Sequence, residues 1–306
     1  MLRLFDFVFV LRPLILIPAW SFYLIGAAQA EVPRSGTAAG LPSPSVFVAL
    51  TTILTTAYLL NQVFDRESDE KNGKCFYLSR GIFHARTLVI MALLSFLVAS
   101  TAFRHVEGIH RGLLLGALVL SLFYSLPPLR LCARPFADML ANAAGYGGLA
   151  FALGYGASRP ALAVVTAASP WALLVAATFL HTAILDVPGD RDSGKISTAV
   201  FLGAGTASWL AAFLHAAAVV TAILTRNTAA LWVTGALLPA AAYAVVRRDG
   251  RASSIVVQAS TGVVAVAAAV FWPAYLLLIV PVVVLSRFYY KRRFGIIYPG
   301  LRNTSG

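Results

Sequence analysis

Nine long apolar runs decide what this chain can fold into. They sit at roughly 12–30, 45–64, 84–103, 112–127, 137–157, 169–186, 198–224, 228–246 and 252–286. Each of the first eight approaches the ~20 residues that carry a helix across ~30 Å of hydrocarbon, some with help from their flanks. Lipid offers no partner to an unpaired backbone N–H or C=O, so each crossing must be helical. The last run is too long for one untilted span at about 1.5 Å per residue. Pro273, behind Phe271 and Trp272, marks a kink or break in it. The sequence therefore predicts an all-α, polytopic membrane bundle of about nine transmembrane helices, or ten if the last run folds back. It reads as a single domain over 1–306.

Composition agrees. The chain is 59% hydrophobic and 12% charged, where a soluble domain carries about 25% charged residues. A water-soluble enzyme and a disordered chain are both excluded. Cys75 and Cys132 cannot build a disulfide framework or a metal site and read as small space-filling residues. The net charge of +12 comes in short basic groups between apolar runs, which fits membrane topology and not nucleic acid. One set of loops plus the N-terminus holds 14 Lys and Arg, among them Arg3, Arg12, Arg66, Arg86, Arg134 and Arg247; the opposite loops hold 5. The richer side is expected to be cytoplasmic. Nine spans would leave Arg287, Lys291, Arg292 and Arg293 outside, against this rule; ten would bring them inside. The sequence leaves both counts open. No apolar core with a small-residue cleavage site opens the chain, so no cleaved signal peptide is expected.

The acids carry the chemistry. Of 12 Asp and Glu, 7 lie in two short segments, 61–70 and 186–192, each at the end of an apolar run. Ionisable residues there mark a functional site by default. Asn61, Asp65 and Asp69 are spaced by four, so a helix presents them on one face. Asp186 and Asp190 share that spacing, although Pro188-Gly189 is expected to bend the backbone between them. Oxygen donors of this kind suit Mg²⁺, which keeps several waters and uses one or two carboxylates plus substrate phosphates. Facing each other, the clusters could hold Mg²⁺ ions with a diphosphate between them. Arg12, Lys74, Arg80, Arg130, Arg191 and Lys195 flank the clusters and could contact phosphate, Arg in bidentate fashion and Lys as a point charge. The clusters lie 121 residues apart, which suggests two similar four-helix halves plus a C-terminal helix.

Three pieces together resemble the UbiA superfamily of intramembrane prenyltransferases: Asn61-x-x-x-Asp65-x-x-x-Asp69, Asp186-Val-Pro-Gly-Asp190-Arg-Asp192-Ser-Gly-Lys195-Ile-Ser-Thr198, and Tyr124-Ser-Leu-Pro127-Pro128-Leu-Arg130. The order and spacing extend the resemblance over nearly the full length, as one UbiA-type domain. It implies Mg²⁺-dependent transfer of an isoprenyl group from its diphosphate to a lipophilic, often aromatic, acceptor within the membrane, in a site facing the cytoplasm of a bacterial or archaeal cell. Asn61, Asp65, Asp69, Asp186 and Asp190 would bind Mg²⁺-diphosphate; Arg130 and Lys195 would contact phosphate; Tyr124 lies in the turn motif and Asn142 matches a site-lining position. Two departures stand out. Many members place Asn-Arg-Pro after the first motif, where this chain has Gly73-Lys74-Cys75-Phe76. Many carry a further Asp where this chain has Ala183.

The mechanism expected is ionisation of the allylic C–O bond, with charge taken up at the diphosphate. The carbocation would be shielded from water and faced by aromatic rings. Phe64, Tyr124, Tyr146, Tyr155, Trp171 and Phe179 are the candidates by location, and His181 is a candidate base. A membrane terpene cyclase would use the same ionisation without an external acceptor. A secondary transporter would place its acids mid-span, and these lie at one face. A CDP-alcohol phosphotransferase would need an Asp-Gly…Ala-Arg signature that neither cluster shows.

Overall fold

A computed structural model describes residues 2–30, 43–74, 76–156 and 159–298, so Cys75 lies outside the described residues. The chain folds as α1 (Leu2–Phe9), α2 (Pro13–Gln29), α3 (Pro44–Phe64), α4 (Arg66–Lys71), α5 (Phe76–Ser79), α6 (Ala85–Phe103) and α7 (Gly108–Ser125). Then come α8 (Ala137–Asn142), a π-helical stretch (Ala143–Ala150) and α9 (Phe151–Tyr155). The rest is α10 (Ala161–Asp192), α11 (Thr198–Leu202), α12 (Ala204–Leu224), α13 (Thr228–Arg247), α14 (Gly250–Phe271) and α15 (Leu276–Phe294). Among the described residues, nine helical segments are long and apolar enough to cross a bilayer.

The continuous helix from α8 through α9 adds a further crossing. Its π-helical middle separates it from those nine. Trp272 and Pro273 split the last apolar run into α14 and α15, because proline cannot donate the next helical bond. The crossings therefore come to ten, and the two chain ends meet on one face. Arg293 makes two 3.0 Å bonds to the Asp6 carboxylate, and the Phe9 and Tyr289 rings stack at 4.3 Å. The basic end of α15 thus lies on the same side as the N-terminus, as the basic-loop rule requires.

Lipid tails are as apolar as these side chains, so close packing holds the helices together. Small residues permit it: Ala207, Ala211, Ala218 and Ala222 are buried along α12, as are Ala265, Ala268 and Ala269 on α14. The closest approach is between α2 and α9. A Cβ on Gly154 would stand 2.0 Å from the Tyr23 carbonyl oxygen, and one on Gly26 would stand 2.1 Å from that of Phe151. Trp171 fills the centre, edge-on to Phe22 at 5.9 Å and tilted on Phe151 at 6.2 Å. Outward-facing Leu93, Leu94, Phe213, Trp232 and Leu277 present the apolar surface that lipid covers.

Candidate active site

Both acidic motifs stand at the same face, at the carboxyl ends of α3 and α10. A one-residue interruption at Asp65 separates α3 from α4, yet the backbone keeps helical register: Asp65 N–H bonds the Asn61 carbonyl and Asp69 N–H bonds that of Asp65, each at 2.8 Å. Asn61, Asp65 and Asp69 therefore share a face, as their spacing predicts. The second motif differs from expectation. Helix α10 runs through Pro188 to Asp192, where the sequence suggested a bend between Asp186 and Asp190. The cause lies on the first motif. Asn72 donates to the Asp186 carbonyl at 3.1 Å and accepts from Gly189 N–H at 3.1 Å, clasping the backbone on both sides of the proline. Ser68 donates to the Asp190 carboxylate, and the Lys71 ammonium donates to the Asp192 carbonyl. Helix α4 is thus fastened rung by rung to the end of α10.

The carboxylates face cations. Asp65, 4% exposed, accepts from Arg130 at 3.0 Å and Asn61 at 2.8 Å, with Lys195 at 3.5 Å. Arg12 pairs with Asp69 at 3.0 Å, Lys74 with Asp186, and Lys195 also with Asp190 at 3.6 Å. Arg12 and Arg130 reach their partners from left-handed backbone, φ 55 and 41, a conformation costing non-glycine residues about 1–3 kcal/mol and concentrated at functional sites. Burial opposes the charge on Lys195, but Asp65 and Asp190 outweigh it and hold the ammonium above its ordinary range. Arg130 is likewise held above its ordinary range, the bond to Asp65 outweighing burial. Cys132 donates to Asp65 at 3.7 Å; burial, then the Asp65 charge, pushes its thiol up to about 12, so it stays neutral.

These groups ring the mouth of a cavity of about 1240 Å³. Arg12, Asp65, Asp69, Asp186, Asp190 and Lys195 all line it, as do Asn61 and Lys74. Tyr124, Asn142, Tyr146 and Phe179 line it further in, and Tyr58 and Tyr146 join hydroxyl to hydroxyl there. The deep end is apolar, with Phe22, Leu50, Leu174, Val264 and Ile279. Residues 65 and 186 thus face one space.

Not every candidate arrives. Arg80 is exposed, its guanidinium 5.0 Å over the Phe294 ring, and Arg191 is exposed; neither lines the cavity. Arg80 falls after α5, which turns it towards α15, and Arg191 projects from the outer side of α10. Phe64, Tyr155 and Trp171 do not line the cavity, Trp171 being wholly buried in helix packing. His181 is hydrogen-bonded to Ser253 at 3.2 Å, also away from the cavity. Sequence reasoning missed Ser68, Asn72 and Asp138. Asp138 is buried beside the cavity, accepts from Thr198 N–H at 2.8 Å and from its hydroxyl, and so ties α8 to the loop carrying Lys195. An acid inside an apolar run was a legible signal; Ser68 and Asn72 gave none.

The donor set fits a divalent ion that arrives with a diphosphate. Among the described residues no three acidic, His or Cys side chains form a metal site by themselves, and Mg²⁺ held partly by substrate phosphates requires none.

A ten-crossing helical bundle with paired acids and bases at the mouth of an apolar tunnel defines a membrane enzyme for a lipid with an anionic head. A family model for the UbiA prenyltransferase family matches residues 15–254, so the chain belongs to that family, and it is a multi-pass membrane prenyltransferase. It is similar to a lycopene elongase/hydratase of Haloarcula japonica, 37% identical over 162 residues, covering 48% of this chain and 49% of that protein. A lycopene elongase/hydratase of Halobacterium salinarum is 32% identical over 219 residues, covering 67% and 74%. The match thus spans about half of the first relative. The same fold appears in a UbiA homologue from Archaeoglobus fulgidus solved bound to GPP and Mg²⁺, with TM-score 0.68, 18% identity, and 87% and 98% of the two chains covered.

Proposed function

We propose that this enzyme moves an isoprenyl group from its diphosphate onto an electron-rich carbon of a lipophilic acceptor, with Mg²⁺, in a site opening to the cytoplasm. The observation that carries the reading is the convergence of Asp65, Asp69, Asp186 and Asp190 with Arg12, Lys74 and Lys195 at the mouth of one cavity that is apolar at depth. Asn61 and these four carboxylates would hold Mg²⁺. When bound, the ion supplies Lewis-acid neutralisation of the leaving diphosphate.

The chain's own residues supply the rest. Arg12, Lys74, Arg130 and Lys195 are held ready by ion pairs, and each can turn from a carboxylate to a phosphate oxygen as charge develops there. The apolar depth keeps the allylic cation from bulk water. Tyr124, Tyr146 and Phe179 offer ring faces to it. The two lycopene elongase/hydratase relatives support a polyene hydrocarbon as acceptor. The aromatic acceptor expected from the sequence would attack in the same way, through an electron-rich carbon.

The test uses membranes containing the full chain, Mg²⁺, labelled prenyl diphosphates of several lengths, and lycopene alongside aromatic acceptors. Labelled polyene should form with the intact chain and vanish with Asp65→Ala. Full turnover by Asp65→Ala would refute the role of the motif. Product built from prenyl diphosphate alone would make the enzyme a cyclase.

A further inference from the structure

One wall of the cavity is polar well inside the membrane. On α14 the residues facing the cavity fall on one helical stripe: Ser254, Val257, Gln258, Thr261, Val264 and Ala265. Its first half is polar and its second apolar. On α10, Thr182 and Thr178 face the same space, about 6 and 12 Å inward of Asp186 at 1.5 Å per residue. The His181–Ser253 bond of 3.2 Å fixes the register of the two helices, so Ser254 stands level with Thr182. The polar strip therefore begins one turn inside the carboxylates and runs inward about 10 Å along α14.

Two serines on this cavity are unusual. Membrane hydroxyls normally bond a carbonyl one turn back, as Thr55, Thr56 and Thr261 do here. Ser260 and Ser286, 4% and 0% exposed, both line the cavity, and their hydroxyls have no hydrogen-bond partner among the described residues. A buried hydroxyl without a partner is costly. The Gln258 amide N–H donates to Ser254 at 3.1 Å, and Gln258 itself lines the cavity. Apolar residues would serve a hydrocarbon acceptor better at all of these positions. The wall is built for a small hydroxyl ligand.

Resting on prenyl transfer to a polyene, we propose that this wall holds water beside the reacting carbons and decides the fate of the acceptor cation. The prenyl C–O bond breaks with its electrons leaving on diphosphate. The acceptor alkene donates its electron pair to form the new C–C bond, and a tertiary cation remains on the acceptor. Loss of a proton from the neighbouring carbon gives an alkene. Attack by a water oxygen gives a tertiary alcohol, and the surplus proton passes along the hydroxyls to solvent. Water positioned by Gln258, Ser260 and Ser286 favours the second course.

The test is the same membrane assay run in H₂¹⁸O, with products separated and weighed by mass spectrometry. The intact chain should yield prenylated polyene carrying ¹⁸O. The ratio of hydroxylated to unhydroxylated product should fall about tenfold in Gln258→Leu, the factor for one lost hydrogen bond of about 1.4 kcal/mol. Gln258→Asn should restore much of it, and the Ser260→Ala/Ser286→Ala pair should lower it again. Prenylated product without ¹⁸O would overturn this inference and leave prenyl transfer standing. So would a labelled fraction unchanged in all of these variants. A hydroxylated acceptor that outcompetes lycopene without taking up ¹⁸O would assign the wall to the acceptor's own hydroxyl and overturn the water assignment. Absence of any prenylated polyene would overturn both readings.

Discussion

Gly189→Ala tests the clasp between the two acidic motifs. The added Cβ would stand 2.5 Å from the Asn72 Cγ, 2.6 Å from its Nδ2 and 2.7 Å from its Oδ1. The Asn72 amide is the far end of a flexible side chain, so it moves away. It then loses its bonds to the Asp186 carbonyl and to Gly189 N–H. At about 1 kcal/mol net for each, the loss is about 2 kcal/mol. Helix propensity works the other way, because alanine favours a helix over glycine by about 1 kcal/mol. The clasp outweighs propensity, so the variant should be less stable by about 1 kcal/mol. Its kcat/KM should fall up to about 30-fold where the full 2 kcal/mol is needed in the transition state. Labelled prenyl transfer in membranes and thermal unfolding in detergent measure the two effects. Asn72→Ala should behave alike, and the double variant should be little worse than either single one, since both remove the same contact. Additive losses, or a Gly189→Ala protein that melts higher and keeps activity within about twofold, would refute the reasoning.

Arg80→Ala and Arg191→Ala should each keep transfer activity within about twofold, because both side chains are exposed outside the cavity; Lys195→Ala, which strips two carboxylates of a partner, should lose most of it. Asp6→Asn should cost about 2 kcal/mol of stability, since Asp6 is 2% exposed and accepts both bonds from Arg293, and detergent melting should record it. The Cys132 thiol should resist alkylation at pH 8 in the folded protein, read by peptide mass spectrometry, because it is buried and its pKa stands at about 12. Both Cys132 and Lys195 are shifted upward, so each favours the fold below its ordinary value. Stability should therefore decline as pH rises past about 8.5 for the thiol and then about 10.4 for the ammonium, seen as a falling melting temperature.

The apolar runs alone dictated a membrane bundle, because lipid leaves the backbone no alternative to the helix. They also placed the acid motifs at helix ends, and four-residue spacing put Asn61, Asp65 and Asp69 on one face. Seven acids in two segments of so acid-poor a chain marked the site before any coordinate. Tertiary structure decided what spacing cannot carry. The ion pair of Arg293 with Asp6 joins the two ends of the chain and settles the parity of the crossings. Arg80 and Arg191 stand beside the motifs in sequence but point elsewhere, since neighbourhood along a chain does not determine which way a helix faces. Helix α10 passes straight through Pro188 because Asn72, 116 residues earlier, satisfies the backbone on both sides of it. The polar wall of Gln258 and Ser260 belongs to no local pattern; only packing α14 against α10 and α2 turns it towards the site. Local sequence sets period and charge, and long-range contact chooses which face meets which.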